Sequence, residues 1–464
     1  MSKLPIVTMF RLGLFQLGLG MMSLLTLGLL NRVMINELGV PAAIAALVIA
    51  MPLFVAPARV WFGQISDAKT FLGSHRTGYV WLGALCFTLA SLGCVQVVWQ
   101  FGNSLQTGWS FTTWAWLAAL LGSFSFYGLS LSASSTPFAA LLVDITDQEQ
   151  RPKLVGIVWS LLMVGIVLGA IAISRVLPCT ENIPGDSFNI YRDPGQLAAL
   201  QAGVNRVFVI IPALVFGLAL IALWGIEAKY SRLRPSDQSE LGLNQALKVL
   251  TASPQTGLFF GFLIIMTISL FMQDAVMEPY GGRIFGMGIC ATTQLNAFFG
   301  IGTLLGISGG GLVLVPKLGK QSATQIGCWA AGACCGLLIL AGFGANINLL
   351  KASLLLFGLS SGVLTAGATS LMLDLTAAAT AGTFIGAWGL AQAIARGGAT
   401  VLGGVVLDLG KSWLGEGLAA YGLVFGLEAL GLILAAILLN RVDIQQFQNT
   451  TTSAIAQVLS QELD

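Results

Sequence analysis

Stretches of about twenty apolar residues, separated by short polar or Pro/Gly-marked breaks, recur along the whole 464-residue chain. Twelve can be counted, at approximately 12–30, 40–60, 78–98, 118–142, 154–175, 205–225, 257–277, 290–312, 323–343, 350–373, 383–405 and 418–438. Each is near the ~20 residues that a helix needs to cross a hydrocarbon core. Backbone N–H and C=O groups find no water partners there, so runs of this length are expected to be helices. None alternates with period two, which removes a transmembrane β-barrel. The polar stretch Glu227–Thr256 is the longest on its side of the membrane and divides the spans six and six. The expected organisation is therefore an N-terminal six-helix bundle (1–226), a linker with an interfacial helix near 241–250 (227–256), a C-terminal six-helix bundle (257–442) and a polar tail (443–464).

Composition narrows the class. Hydrophobic residues make up 56% and charged residues 9%, with 22 Lys+Arg against 20 Asp+Glu; a soluble domain carries about 25% charge. Mean hydropathy is +0.85, and 57 glycines without a collagen period suit closely approaching membrane helices. A soluble enzyme, a disordered chain and a disulfide scaffold are excluded. A net charge of +2 offers no footprint for nucleic acid. With both termini on the cytoplasmic side, thirteen Lys/Arg fall there and seven opposite, which favours that orientation. Six of the seven cysteines lie in apolar runs and Cys179 alone in a polar loop, so no disulfide is expected. One histidine, no Cys/His metal spacing, no Walker loop and no nucleophile elbow argue against an enzyme and against a metal site.

The two halves echo one another. Leu142-Val143-Asp144-Ile145-Thr146 resembles Met372-Leu373-Asp374-Leu375-Thr376, and Gly156 falls opposite Gly386, all at one offset of 230 residues. A parallel repeat of six spans is the plan of the major facilitator superfamily. Gly63-Gln64-Ile65-Ser66-Asp67, then Gly73-Ser74-His75-Arg76, resembles that superfamily's cytoplasmic loop between spans two and three. Arg59, Gly63, Asp67, Arg76 and Asp144 are read as a cytoplasmic latch, with Arg59 meeting Asp144.

More specific strings follow. Asn31-Arg32-Val33-Met34-Ile35-Asn36-Glu37-Leu38-Gly39 closes span one, and Gln273-Asp274-Ala275-Val276-Met277-Glu278-Pro279-Tyr280-Gly281-Gly282 closes span seven. With Ala56-Pro57-Ala58-Arg59 and Arg76-Thr77-Gly78-Tyr79-Val80-Trp81, they resemble the PucC/LhaA family, the bacteriochlorophyll-delivery branch of the superfamily, over nearly the whole chain. The resemblance implies an all-α fold of twelve transmembrane helices in two pseudosymmetric bundles. It also implies a role in assembling antenna or photosystem complexes in a photosynthetic (thylakoid or cytoplasmic) membrane through chlorophyll handling.

Ionisable groups inside a bilayer cost roughly 3 kcal/mol on insertion scales, so each needs a partner or a task. Arg396 and Glu428 lie at similar depth in spans eleven and twelve, as a structural ion pair or as part of a ligand cavity. Asp274 and Glu278 are one turn apart; Pro279 is expected to end that helix and Gly281-Gly282 to turn the chain. Arg32, Glu37, Asp274, Glu278 and Arg283 are expected to form one polar cluster at the outer mouth of the central cavity. A carboxylate there could couple protons, ligate a chlorin's magnesium, or pair with an arginine. His75 lies in a polar loop, so a pigment ligand within the spans would be sought among Gln16, Asn31, Gln273, Asn296 and Gln392. The alternative to a chlorophyll-holding assembly factor is a proton-coupled transporter of a small molecule, with Asp274 and Glu278 as coupling groups.

Overall fold

The computed structural model describes residues 4–146, 150–177, 194–230, 254–374, 381–443 and 446. Among these every regular element is helical: α1 (Ile6–Ser23), α2 (Ala42–Phe54), α3 (Ala58–Ala68), α4 (Thr77–Leu105), α5 (Phe111–Asp144), α6 (Arg151–Val176), α7 (Pro194–Leu223), α8 (Ile226–Tyr230), α9 (Pro254–Phe271), α10 (Met277–Phe285), α11 (Ile289–Gly309), α12 (Val315–Leu318), α13 (Lys320–Phe343), α14 (Ile347–Asp374), α15 (Ala381–Leu414) and α16 (Leu418–Leu439). The expected interfacial helix near 241–250 and nearly all of the tail lie outside the described residues.

Among the described residues, eleven helical segments are long and apolar enough to cross a membrane, against twelve expected. The difference is the run 40–60. There α2 stops after 13 residues, with Pro52 inside its last turn, and α3 begins after Pro57. Proline withholds a backbone donor and crowds the preceding turn. The run is thus two short helices.

The described chain divides into two compact units. The first comprises residues 1–234, 274–300 and 400–421, the second residues 235–273, 301–399 and 422–464. In the first, α1 packs on α6 and α7, α4 on α5 and α7, and α2 and α3 on α5. The α1–α6 approach depends on glycine: a Cβ on Gly20 would strike the Leu162 carbonyl, and one on Gly165 the Leu17 carbonyl. In the second unit α13 pairs with α14.

Cys290, at the start of α11, is disulfide-bonded, its partner lying outside the described residues. This corrects the expectation of no disulfide. An apolar setting and irregular spacing had concealed it, since connectivity is not carried by spacing.

Candidate functional site

Past Ser23 the first span continues through two π-helical stretches, Leu24–Leu30 and Val33–Glu37. Such widened turns are rare and are frequently found at functional sites. On the second half's side, α9 gives way to a 3-10 turn, Met272–Ala275, before α10 begins. Asp274 and Glu278 are therefore not on one continuous α-helix. Nor does Pro279 end a helix: it sits in the first turn of α10, where a missing N–H costs no bond. Gly281 and Gly282 are helical, and the chain turns instead at Gly286, in the left-handed region at φ 64°.

Within the first unit these segments meet in one buried polar cluster. Arg32 is wholly buried, while Glu37 and Glu278 are 5% and 3% exposed. Arg32 Nη1 donates to Thr292 Oγ1 at 2.7 Å, and Nη2 lies 3.6 Å from Glu37 Oε1. Glu278 is within electrostatic reach of the same guanidinium, and its Oε1 accepts from Asn296 Nδ2 at 2.5 Å. Asn31 Nδ2 donates to the Ala275 carbonyl at 2.9 Å. Two glycines make room. A Cβ on Gly28 would meet the Glu278 carboxyl, and one on Gly282 the Asn36 amide and the Arg32 guanidinium.

The charge balance follows from burial. One cation faces two carboxyls. Burial pushes the Glu278 carboxyl up to about 8, against the opposing pull of Arg32 and of the Asn296 amide. Burial thus favours the neutral form of Glu278, and Arg32 balances Glu37. Arg32 Nε, Glu278 Oε2 and Asn31 Oδ1 are buried without a hydrogen-bond partner, so the cluster retains unused polar capacity.

Of the other expected members, Arg283 pairs with Glu416 near the partly exposed end of α10. Asp274 is half-buried on the 3-10 turn. Thr292 and Asn36 were missed, and Asn296, expected as a candidate pigment ligand, donates to Glu278. The signal for Thr292 and Asn296 was a group of polar side chains at the start of an otherwise apolar run. Asp408 was also missed: its two carboxylate oxygens accept from the Ala42 and Ala43 N–H groups at 3.0 and 2.8 Å, capping α2.

In the second unit Glu428 is wholly buried. It accepts from the Gln273 backbone N–H at 2.6 Å and lies 3.8 Å from Cys335 Sγ. The Arg396 guanidinium stacks over the Phe271 ring, 4.2 Å from its centroid. Gln273 Oε1 is buried and without a partner.

The loop before α4 holds a third cluster. Arg76 Nε donates to Asp144 Oδ2 at 2.9 Å and Nη1 to Ser66 Oγ at 2.6 Å. Glu227 receives the backbone N–H groups of His75, Arg76 and Thr77, capping α4 from α8. Arg76, not Arg59, thus holds Asp144; Arg59 is exposed at the start of α3. Gly63 lies on α3, where an added Cβ would stand 3.6 Å from the Thr136 methyl. The side chains of Asp67 and Asp374 lie outside the described residues.

The profile described as "PUCC protein" matches residues 29–447. The chain belongs to the PucC family. It is 31% identical over 439 residues to "Bacteriochlorophyll synthase 44.5 kDa chain" of Rhodobacter capsulatus, covering 93% of this chain and 94% of that one. It is 29% identical over 447 residues to "Protein PucC" of the same organism, with coverages of 94% and 92%. A solved bacterial homologue of the lysosomal transporter Spinster, inward-facing and occupied, superposes with TM-score 0.67 at 14% identity, covering 95% of this chain and 97% of that one. That likeness gives this PucC-family chain the all-α membrane fold of the major facilitator superfamily.

Proposed function

We propose that this PucC-family protein is a non-enzymatic assembly factor, which holds chlorophyll or a related pigment and passes it to an antenna or photosystem membrane protein. The reading places it in a photosynthetic membrane, thylakoid or cytoplasmic, with both termini on the cytoplasmic side. It keeps the division into six-span halves at 227–256. Its main support is the family match across residues 29–447, together with a relative named for bacteriochlorophyll.

The donor chemistry of the first span and of the 3-10 turn is compatible with such a pigment. Magnesium takes oxygen ligands, and Gln16, Asn31 and Gln273 each carry a buried amide oxygen with no hydrogen-bond partner. Any of these residues would hold the pigment's magnesium. Glu278 and Arg32, enclosed as they are, serve as a clasp between the family-like strings. Arg396 and Glu428 contribute the polar element of the second unit.

The test is genetic. In a photosynthetic host deleted for its own copy, the wild-type protein should restore assembled antenna or photosystem complex, while Glu278→Gln, present in the membrane in equal amount, should restore less. Full complex in the deletion strain would overturn the assembly reading. A second reading, a proton-coupled transporter, draws on Glu278, whose carboxyl burial pushes up to about 8. It predicts a protein that carries no pigment but moves protons with a small solute in liposomes.

A further inference from the structure

The first turns of α1 and α6 stand level in the first unit. The Leu4 N–H donates to Gln150 Oε1 at 3.0 Å, just before α6, and the glycine contacts at Gly20 and Gly165 hold the two helices side by side further along. Between their early turns runs a groove of about 400 Å³, lined among others by Phe10, Lys153, Gly156, Ile157, Ser160 and Val164. Nothing stands within 4 Å of where a Cβ on Gly156 would be, so the floor is open. Phe10 is 51% exposed along one wall. The lining is apolar except for Ser160 and Lys153, and Lys153 is exposed at the end where α6 begins.

A second groove, about 470 Å³, lies against α1 where Arg11 meets Gly217, Leu220, Ile221 and Trp224 of the α7 end. Its cation is already committed. Arg11 Nε donates to the Ile221 carbonyl at 2.7 Å and Nη2 to the Trp224 carbonyl, satisfying acceptors that a helix end leaves open. Lys153 has no hydrogen bond or ion pair among the described residues. A spanning helix begins at headgroup depth, where a lysine meets anionic lipid. An acyl chain matches the rest of the lining.

We propose that the α1–α6 groove is a binding site for one phospholipid with an anionic headgroup, its phosphate at Lys153 and one acyl chain along Phe10, Gly156, Ser160 and Val164. The proposal is independent of any pigment.

The test offers the purified full chain equal amounts of phosphatidylglycerol and phosphatidylcholine and counts retained lipid by native mass spectrometry. Wild type should retain one phosphatidylglycerol about fivefold over phosphatidylcholine, the preference expected of one lysine near the headgroup plane. Lys153→Ala should bring that ratio to about one, and Gly156→Leu, which fills the floor, should lower retention of both lipids. Circular dichroism and thermal melting establish that both variants are folded. No preference in wild type, or a preference that survives Lys153→Ala in folded protein, would overturn the site and leave only annular lipid. So would unchanged retention by folded Gly156→Leu.

Discussion

Replacing Arg32 by Met removes the cation from a cluster that is almost sealed from solvent. Two losses follow. The 2.7 Å bond to Thr292 Oγ1 disappears, and Glu37, 3.6 Å from the guanidinium and 5% exposed, keeps a carboxylate with no counter-charge. Removing one partner of a buried pair costs about 3–5 kcal/mol, mostly because the other charge is stranded. About 4 kcal/mol is therefore expected for Arg32→Met. Removing both charges should be far milder, since the stranded carboxylate is then absent. Arg32→Met/Glu37→Gln should return to within about 2 kcal/mol of wild type, so the coupling should exceed the loss from Glu37→Gln alone by about 2 kcal/mol. Unfolding in mixed lipid–detergent micelles by titrated dodecyl sulfate, followed by tryptophan fluorescence, reads all four corners of the cycle. Arg32→Met costing less than about 1 kcal/mol, or a double mutant showing the full sum of the single losses, would refute the buried pair.

Asp408→Ala leaves the Ala42 and Ala43 N–H groups at the α2 terminus without their acceptor. It should cost about 2 kcal/mol by the same titration, with Asn recovering part because one oxygen remains to accept. Glu278 gives a pH dependence. Its folded carboxyl sits near 8, above the ordinary value of 4.5, so its stabilising contribution is complete below about 4.5 and is lost as pH rises through 8. Thermal melting of wild type should fall across that window, and Glu278→Gln should flatten the fall.

The spans were legible because hydrocarbon leaves the backbone one solution, and the apolar runs at 78–98 and 118–142 became α4 and α5 with only their ends extended. The meeting of N-R-V-M-I-N-E with E-P-Y-G-G was legible too, since buried Arg32, Glu37 and Glu278 each needed a partner. Less could be read where local rules compete. Pro52 accompanies a broken run, yet Pro137 and Pro212 sit inside the long helices α5 and α7, so proline alone does not locate a break. Pro279 could as well open a helix as close one, and it opens α10. Arg283, near the end of that helix, pairs with Glu416. Asp144 had two arginines within plausible reach. Arg76 takes it because Ser66 and the Glu227 cap fix the loop before α4, a contact over about 150 residues of sequence that no local pattern carries.

If this PucC-family protein holds pigment for assembly, as proposed, and needs the Arg32–Glu278 clasp to do so, pigment should travel with it straight from pigment-containing membranes into nanodiscs, without free detergent. Absorbance of those nanodiscs should show a chlorophyll-type band near one pigment per chain in wild type. The band should fall at least severalfold in Glu278→Gln that is otherwise folded and present in equal amount. A wild-type protein without pigment whose liposomes show proton-dependent solute uptake, or a Glu278→Gln band equal to wild type, would contradict the proposal.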